Sequence, residues 1–479
     1  MDERRLERAL REGPSFGTPY VVRPLRLDPL DGRPSASSMR LAILIAVTAL
    51  LLVGLLAGLA ALGGLIDPDR RAANGWVAFA ASDGAASAEL DDRDIYLVAE
   101  NGVRLRIIGD DSEQTDQICP AFSPNGRRLA YGQAEGRGAD FGVGPDGEVI
   151  VHESNYRRAE LNVVDIDADG NASDSQTIEV GGSLPPPCAT WSADGQRVAF
   201  VVSMTSWNNP ELSAPDSEVW VVTLASATID VIPDVFATDL AWSPVSPQLA
   251  IANHVAGESL SNGAISLYSA DSGEVRTLVG PSGVSKLSWS PDGLRIVSQR
   301  GENAEWTSGP RPEGGRSLWV TELDGSRDYL IADGFDTDHG IGPEWSPRGE
   351  WIVYQPICDE SHVFPGAPCR EESDVVLIPA DGDLESRNPG DGEVVIPHLQ
   401  LPGDDGSVPR SPYRVTWSPD GKELLYWTFG GPTLAAVPID GRTSPLVLQD
   451  SEGGFAVSVY GGDGLLPTQS WAKSTEDEP

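Results

Sequence analysis

Lysine is almost missing. Only Lys286, Lys422 and Lys473 occur in 479 residues, so arginine carries nearly all the positive charge. Lys and Arg together number 34 against 72 Asp and Glu, a net charge of −38. So acidic a chain repels phosphate, which excludes nucleic acid and anionic lipid surfaces as partners held by bulk charge. Cysteine is scarce: four residues, none before Cys119, which excludes a lipid-modified N-terminal Cys. The five histidines (His152, His254, His339, His362, His398) form no HExxH and no i,i+4 pair, so no zinc-peptidase helix is encoded. No G-x-S-x-G nucleophile elbow follows the repeat region described below, which excludes an attached serine hydrolase.

Other features are plentiful. Gly (52) and Pro (38) are abundant, as in turn-rich all-β chains. The run Leu41–Ile66 holds no charge over 26 residues, where about 20 suffice to span a bilayer as a helix. It is longer than the apolar core of a cleaved signal, about 7–15 residues, so the expectation is an uncleaved anchor over residues 40–66. Arg23, Arg26, Arg33 and Arg40 precede it and only Arg70 and Arg71 follow closely. The positive-inside bias therefore places residues 1–39 in the cytoplasm as a short tail, and everything after a linker at 67–74 outside. Gly54 and Gly58 form a GxxxG spacing suited to a homodimer through that helix.

After the anchor one pattern recurs: an aromatic, Ser-Pro-Asp-Gly or a near variant, a polar residue, then a short apolar run. It begins at Phe122, Trp191, Trp242, Trp289, Trp345 and Trp417. Ser-Pro-Asp-Gly suits a type I turn, with Pro fixing φ at the second position and Gly at the fourth. Apolar runs on both sides make it a hairpin. The ring before the turn is expected to wedge into the core rather than stack on a ligand. A second strand pair follows each hairpin, for example from Glu218-Val-Trp-Val-Val222 and Ser317-Leu-Trp-Val320, giving a four-stranded antiparallel unit. At Trp242 the turn reads Ser-Pro-Val-Ser, so its geometry is expected to differ.

The tandem units resemble the TolB-type repeat, a bacterial relative of WD-repeat blades, over about residues 75–473. The resemblance implies an extracytoplasmic β-propeller and contact with other proteins. Six aromatic turns stand beside seven second pairs, and Pro467-Thr-Gln-Ser-Trp471 supplies a missing inner strand for the first unit. The expected fold is an all-β, seven-bladed propeller closed by a C-terminal strand, with residues 474–479 as a free tail; the resemblance leans towards six blades, which is the alternative.

Two cysteine pairs suit an oxidising compartment. Cys358 and Cys369 bracket one loop. Cys119 and Cys188 each sit three residues before a turn aromatic, so they occupy equivalent places on adjacent inner strands. Asp165, Asp167 and Asp169 start like a calcium loop, but Gln176 stands where such a loop has Glu, and Asp-Gly suits a hairpin turn unaided; the turn is the expected role, with calcium as the alternative and no other cofactor. Long, mutually unlike connections between second and third strands carry Trp207, Trp306, Tyr156, Phe141 and Phe364, the candidate binding residues. No catalytic residue stands out. The expected function is a non-catalytic binding or scaffold propeller anchored in the cell membrane, recognising a protein or glycan of the envelope. Two alternatives are a transmembrane sensor whose tail binds an inner regulator, and a glycan hydrolase or lyase using Asp110, Asp111, Asp336 or Asp338 at the channel mouth.

Overall fold

The structure is a computed structural model. It describes residues 74–81, 93–99, 104–108, 115–135, 140–143, 149–152, 157–180, 187–203, 217–232, 235–254, 263–301, 316–335, 342–354, 375–380, 384, 394–396, 412–428, 434–439, 446–449 and 469–473. The expected tail (1–39), anchor (40–66), Gly54, Gly58 and residues 474–479 lie outside them, as does the linker up to residue 73. Among the described residues no helix is long and apolar enough to cross a membrane.

The fold is an all-β propeller of four-stranded antiparallel blades. The first sheet holds β1 (Asn74–Ala81), β2 (Asp94–Val98) and β3 (Arg104–Ile108). The second holds β4 (Thr115–Phe122) and β5 (Arg128–Glu135), then, past a separate hairpin of β6 (Asp140–Val143) and β7 (Val149–His152), β8 (Arg157–Ile166) and β9 (Ala172–Glu179). The third runs β10 (Thr190–Trp191), β11 (Arg197–Ser203), β12 (Ser217–Thr223) and β13 (Thr228–Ile232). The fourth runs β14 (Phe236–Trp242), β15 (Gln248–His254), β16 (Ala264–Ser269) and β17 (Val275–Val279). The fifth runs β18 (Val284–Trp289), β19 (Arg295–Arg300), β20 (Arg316–Glu322) and β21 (Asp328–Phe335). The sixth runs β22 (Glu344–Trp345), β23 (Trp351–Tyr354), β24 (Val375–Pro379) and β25 (Val394–Ile396). The seventh runs β26 (Pro412–Trp417), β27 (Glu423–Thr428), β28 (Leu434–Pro438) and β29 (Leu446–Gln449).

The last strand, β30 (Gln469–Lys473), returns to the first sheet and pairs antiparallel with β1, Val77 facing Trp471 and Phe79 facing Gln469. The order there is β3-β2-β1-β30, so the chain's final strand occupies the place that β4, β10, β14, β18, β22 and β26 hold in their own sheets. These edge strands lie against one another: β4 on β10, β10 on β14, β14 on β18, β18 on β22, and β30 on both β26 and β4. β22 and β26 meet where the Trp417 indole N–H donates to Glu344 O, so these are the inner strands of a closed circle.

The sequence explains each unit. In the turn after β18, Gly293 N–H donates to Ser290 O at 2.9 Å, closing the expected four-residue turn, and Gly293 sits at φ 67°, a conformation open mainly to glycine. Ser290 Oγ donates to Asp292 Oδ1 at 2.5 Å and accepts the N–H of Arg295 at 2.9 Å. The same arrangement recurs at Ser192 and Asp194, and at Ser418 and Asp420. Burial alone would raise these three carboxyls; the serine hydroxyl, a backbone N–H and the neighbouring Arg or Lys outweigh it and hold them below the ordinary carboxylate range. Every turn aromatic is core: Phe122, Trp191, Trp242, Trp289, Trp345 and Trp417 are all buried. Each belongs to a cluster shared by two successive sheets, as where Trp345 packs with Val297 and Val320 of the fifth sheet and Ile352 and Val376 of the sixth.

Candidate functional site

Each turn leaves from the same end of its sheet, and the turns stack in series. Gly195 lies on Pro124, Gly349 on Pro291 and Gly421 on Pro347 of the preceding unit. The connections between second and third strands therefore emerge together at the opposite end. They run from Ala81 to Asp94, Glu135 to Arg157, Ser203 to Ser217, His254 to Ala264, Arg300 to Arg316, Tyr354 to Val375 and Thr428 to Leu434. Trp207, Trp306, Tyr156 and Phe364 lie in four of them, outside the described residues. Phe141 lies on β6, where its backbone pairs with Val151 of β7, so the connection of the second sheet contains a hairpin of its own. Asp110, Asp111, Asp336, Asp338, Cys358 and Cys369 are also outside the described residues.

The inner strands are laced to one another along their length. Arg93, just before β2, forms a bidentate pair with Asp116 of β4, Nε to Oδ1 at 2.7 Å, both side chains buried. Gln117 N–H donates to Arg93 O at 2.9 Å. Cys119 of β4 and Cys188, just before β10, are joined in a disulfide with Cα atoms 5.1 Å apart; Cys119 lies where the ladder between β4 and β5 shifts register. Between the fourth and fifth sheets, Leu287 N–H donates to Asp239 Oδ2 at 2.9 Å, and Thr238 Oγ1 donates to Ser285 O at 3.1 Å. Between the fifth and sixth, Trp345 N–H donates to Ser288 Oγ at 3.1 Å. Between the sixth and seventh, Thr416 Oγ1 donates to Glu344 Oε1 at 3.4 Å. Burial pushes the Glu344 carboxyl up to about 7, although hydrogen bonds from Trp417 N–H and Thr416 pull the other way.

A further tie repeats with the turn itself. The indole N–H of Trp191 donates to Ala121 O at 2.8 Å, that of Trp289 to Ala241 O at 2.9 Å, and that of Trp417 to Glu344 O at 3.3 Å. In each case the acceptor is the residue just before the previous sheet's aromatic. Arg295 adds a cation–π contact across sheets, its guanidinium 4.7 Å from the Trp345 ring centre. The sequence pattern locates the aromatics, but not this bond, because its acceptor is a main-chain oxygen of a neighbouring unit.

The calcium-like stretch forms the hairpin turn between β8 and β9. Asp167 Oδ1 accepts the N–H groups of Asp169 and Asn171 at 2.9 and 2.8 Å, and the Asn171 amide donates to Oδ2 at 3.0 Å. Those bonds hold the Asp167 carboxyl below its usual range. Asp165 is turned to Arg128 at 3.2 Å. Among the described residues no three His, Cys, Asp or Glu side chains gather to hold a metal ion.

A second surface feature has no counterpart in the sequence reading. The large apolar side chains exposed among the described residues are Ile229, Val231, Val245, Val275, Leu294 and Leu330, and all belong to the third, fourth and fifth sheets. Val245 is the residue that replaces Asp in the variant turn.

No protein-family profile matches the chain, and no curated protein matches it. Among solved structures it is similar to the β-propeller domain of the Trilobed protease from Pyrococcus furiosus, at 16% identity over 71% of this chain and 85% of that one, TM-score 0.43. It is also similar to a putative TolB from Agrobacterium tumefaciens, at 15% identity over 62% and 95%, TM-score 0.37. A third is the acylaminoacyl peptidase of Pyrococcus horikoshii, at 13% identity over 80% of this chain but 52% of that one, TM-score 0.48. At such identities the likeness is one of fold.

Proposed function

We propose that this chain is a non-catalytic recognition or scaffold propeller of seven blades, held at the cell membrane by residues 40–66 with the propeller outside, and that its loop end binds a protein or glycan of the envelope. The observation that carries this reading is the division of labour between the two ends of the sheets. At one end the turns are short, alike and packed on each other. At the other, long connections of unlike sequence join second and third strands, beside inner strands that are fixed by an ion pair, a disulfide and side-chain hydrogen bonds. Variable loops on a fixed frame are the arrangement that recognition favours. The described acidic groups of the inner strands, Asp116, Asp239 and Glu344, are occupied with ties between sheets, which favours binding over acid–base chemistry. Trp207, Trp306, Tyr156, Phe141 and Phe364 supply the large, rigid side chains that dominate binding energy at protein contacts and stack on sugars.

A photo-reactive amino acid placed in living cells at Trp207, Trp306 or Phe141, with Val245 at the turn end as control, tests the reading. Discrete crosslinked products from the loop positions and none from Val245 are the expected result. The same products from both ends, or from neither, would refute it.

A further inference from the structure

The chain enters the propeller at its turn end. β1 joins β2 across the loop end, so its first residue, Asn74, stands at the opposite one. Two contacts fix the start of β1. Asn74 pairs with Lys473 of β30, and the Trp76 indole N–H donates to Ala168 O, in the turn between β8 and β9, at 3.3 Å. Seven residues, 67–73, separate β1 from the apolar run Leu41–Ile66. Fully extended, such a stretch reaches about 25 Å at most.

The exposed apolar side chains gather at that same end. Val245 and Leu294 lie in turns; Val275, Ile229, Leu330 and Val231 are the first, second, third and fourth residues of strands that leave one. Single apolar residues on a surface need no cause, but two of these have internal controls. Where the fourth sheet's turn carries Val245, the other turns carry Asn125, Asp194, Asp292, Arg348 and Asp420. Where the fifth sheet's turn ends in Leu294, four others end in Arg127, Gln196, Glu350 and Lys422. The two departures are neighbours in space: a Cβ on Gly293, the residue before Leu294, would lie 2.3 Å from Val245 Cγ2. The charges beside them are matched, Arg197 with Asp271 at 3.5 Å and Arg295 with Asp292 at 3.6 Å.

We propose that the turn end of the third, fourth and fifth sheets rests on the outer surface of the bilayer, with Val245 and Leu294 leading apolar side chains into the interfacial region. This rests on the anchoring part of the function proposed above. The occupant follows from chain length: the end of the propeller that lies seven residues from the apolar run is the end kept near lipid. So short a tether gives an effective concentration on the order of millimolar, so a modest apolar area suffices. A net charge of −38 repels anionic head groups, which makes the fitting surface a zwitterionic one. The tether enters at the first sheet, whose inner strand touches those of the second and seventh. The apolar groups stand on the third to fifth. The two supports therefore lie apart on the ring, and the loop end is left facing away from the lipid, towards its partner.

The test uses the full-length chain in phosphatidylcholine nanodiscs whose acyl chains carry a quencher. A fluorescent amino acid replaces Val245, Leu294 or Val275 at the turn end, or Phe141 at the loop end. Loss of emission at the three turn-end positions and none at 141 is the expected result. Undiminished emission at the turn end, or equal loss at both ends, overturns the proposal. Returning two positions to the repeat pattern, Val245→Asp with Leu294→Arg, should restore emission from the probe at 275. Emission there still quenched would mean that the tether alone brings lipid close and that the apolar side chains do nothing, which also overturns it. An alkaline wash of cell membranes separates the two readings. A chain washed off removes the anchor and this contact with it; a chain retained, with bright probes at the turn end, removes the contact alone.

Discussion

Trp289 does two jobs at once. Its ring is buried among Leu267, Ile265 and Ile296 of two sheets, and its indole N–H reaches across to Ala241 O. The two contributions are separable by substitution. Trp289→Phe keeps most of the burial and leaves Ala241 O without its donor, an expected loss of about 1–2 kcal/mol. Trp289→Ala also opens a cavity and should cost about 3–5 kcal/mol. Urea unfolding of both variants measures the split; equal losses would mean that the inter-sheet bond and not the packing holds the ring. The indole N–H groups of Trp242 and Trp345 are buried without a hydrogen-bond partner, so the bond is not obligatory at every boundary. At Trp345 the neighbouring strands use the Trp345 N–H and the Arg295 guanidinium instead.

The turn elements show how much of this was legible beforehand. Ser, Pro, Asp and Gly have strong local preferences, and a local preference repeated along the chain reads through clearly: the hairpins and buried aromatics were visible in sequence, whereas the left-handed φ of Gly126, Gly195, Gly293, Gly349 and Gly421 came with the structure. The pairing of Cys119 with Cys188 was legible for the same reason, since both count three residues back from an aromatic. What was not legible depends on neighbours distant in sequence. The variant turn is the sharpest case. Ser-Pro-Val-Ser forms its own contacts, Ser246 Oγ to Ser243 Oγ at 2.9 Å, and aims Val245 at the next unit, where a Cβ on Gly293 would lie 2.3 Å from Val245 Cγ2. Gly293 is thus constrained twice, by its φ and by Val245. Gly293→Ala should destabilise by about 1–3 kcal/mol. Adding Val245→Ala should return part of that loss, and additivity of the two in a double-mutant cycle would show that the contact is irrelevant. The candidate binding residues were the least legible, because loops vary where strands repeat, and Trp207, Trp306, Tyr156 and Phe364 rest only on residue type and on their place in long connections.

At the scale of the molecule, one pairing carries the closure. β30 supplies the inner strand of the first sheet and touches both β26 and β4. Without it β1 presents an open edge and the first and seventh sheets lose their common boundary. A chain lacking residues 465–479 should lose cooperative unfolding and become sensitive to limited proteolysis around the first and seventh sheets; a truncated chain as resistant as the intact one would contradict the closure. The missing inner strand of the first unit was legible as an arithmetic mismatch between turns and strand pairs, but its register, Val77 against Trp471, was set by tertiary fit. The same pairing has a consequence for synthesis. A ribosome makes β1 hundreds of residues before its partner, so the nascent chain must wait, unsealed and with an adhesive strand edge exposed, until Gln469–Lys473 has emerged. The cell has to shield that edge for the whole interval, or two half-made molecules will finish each other.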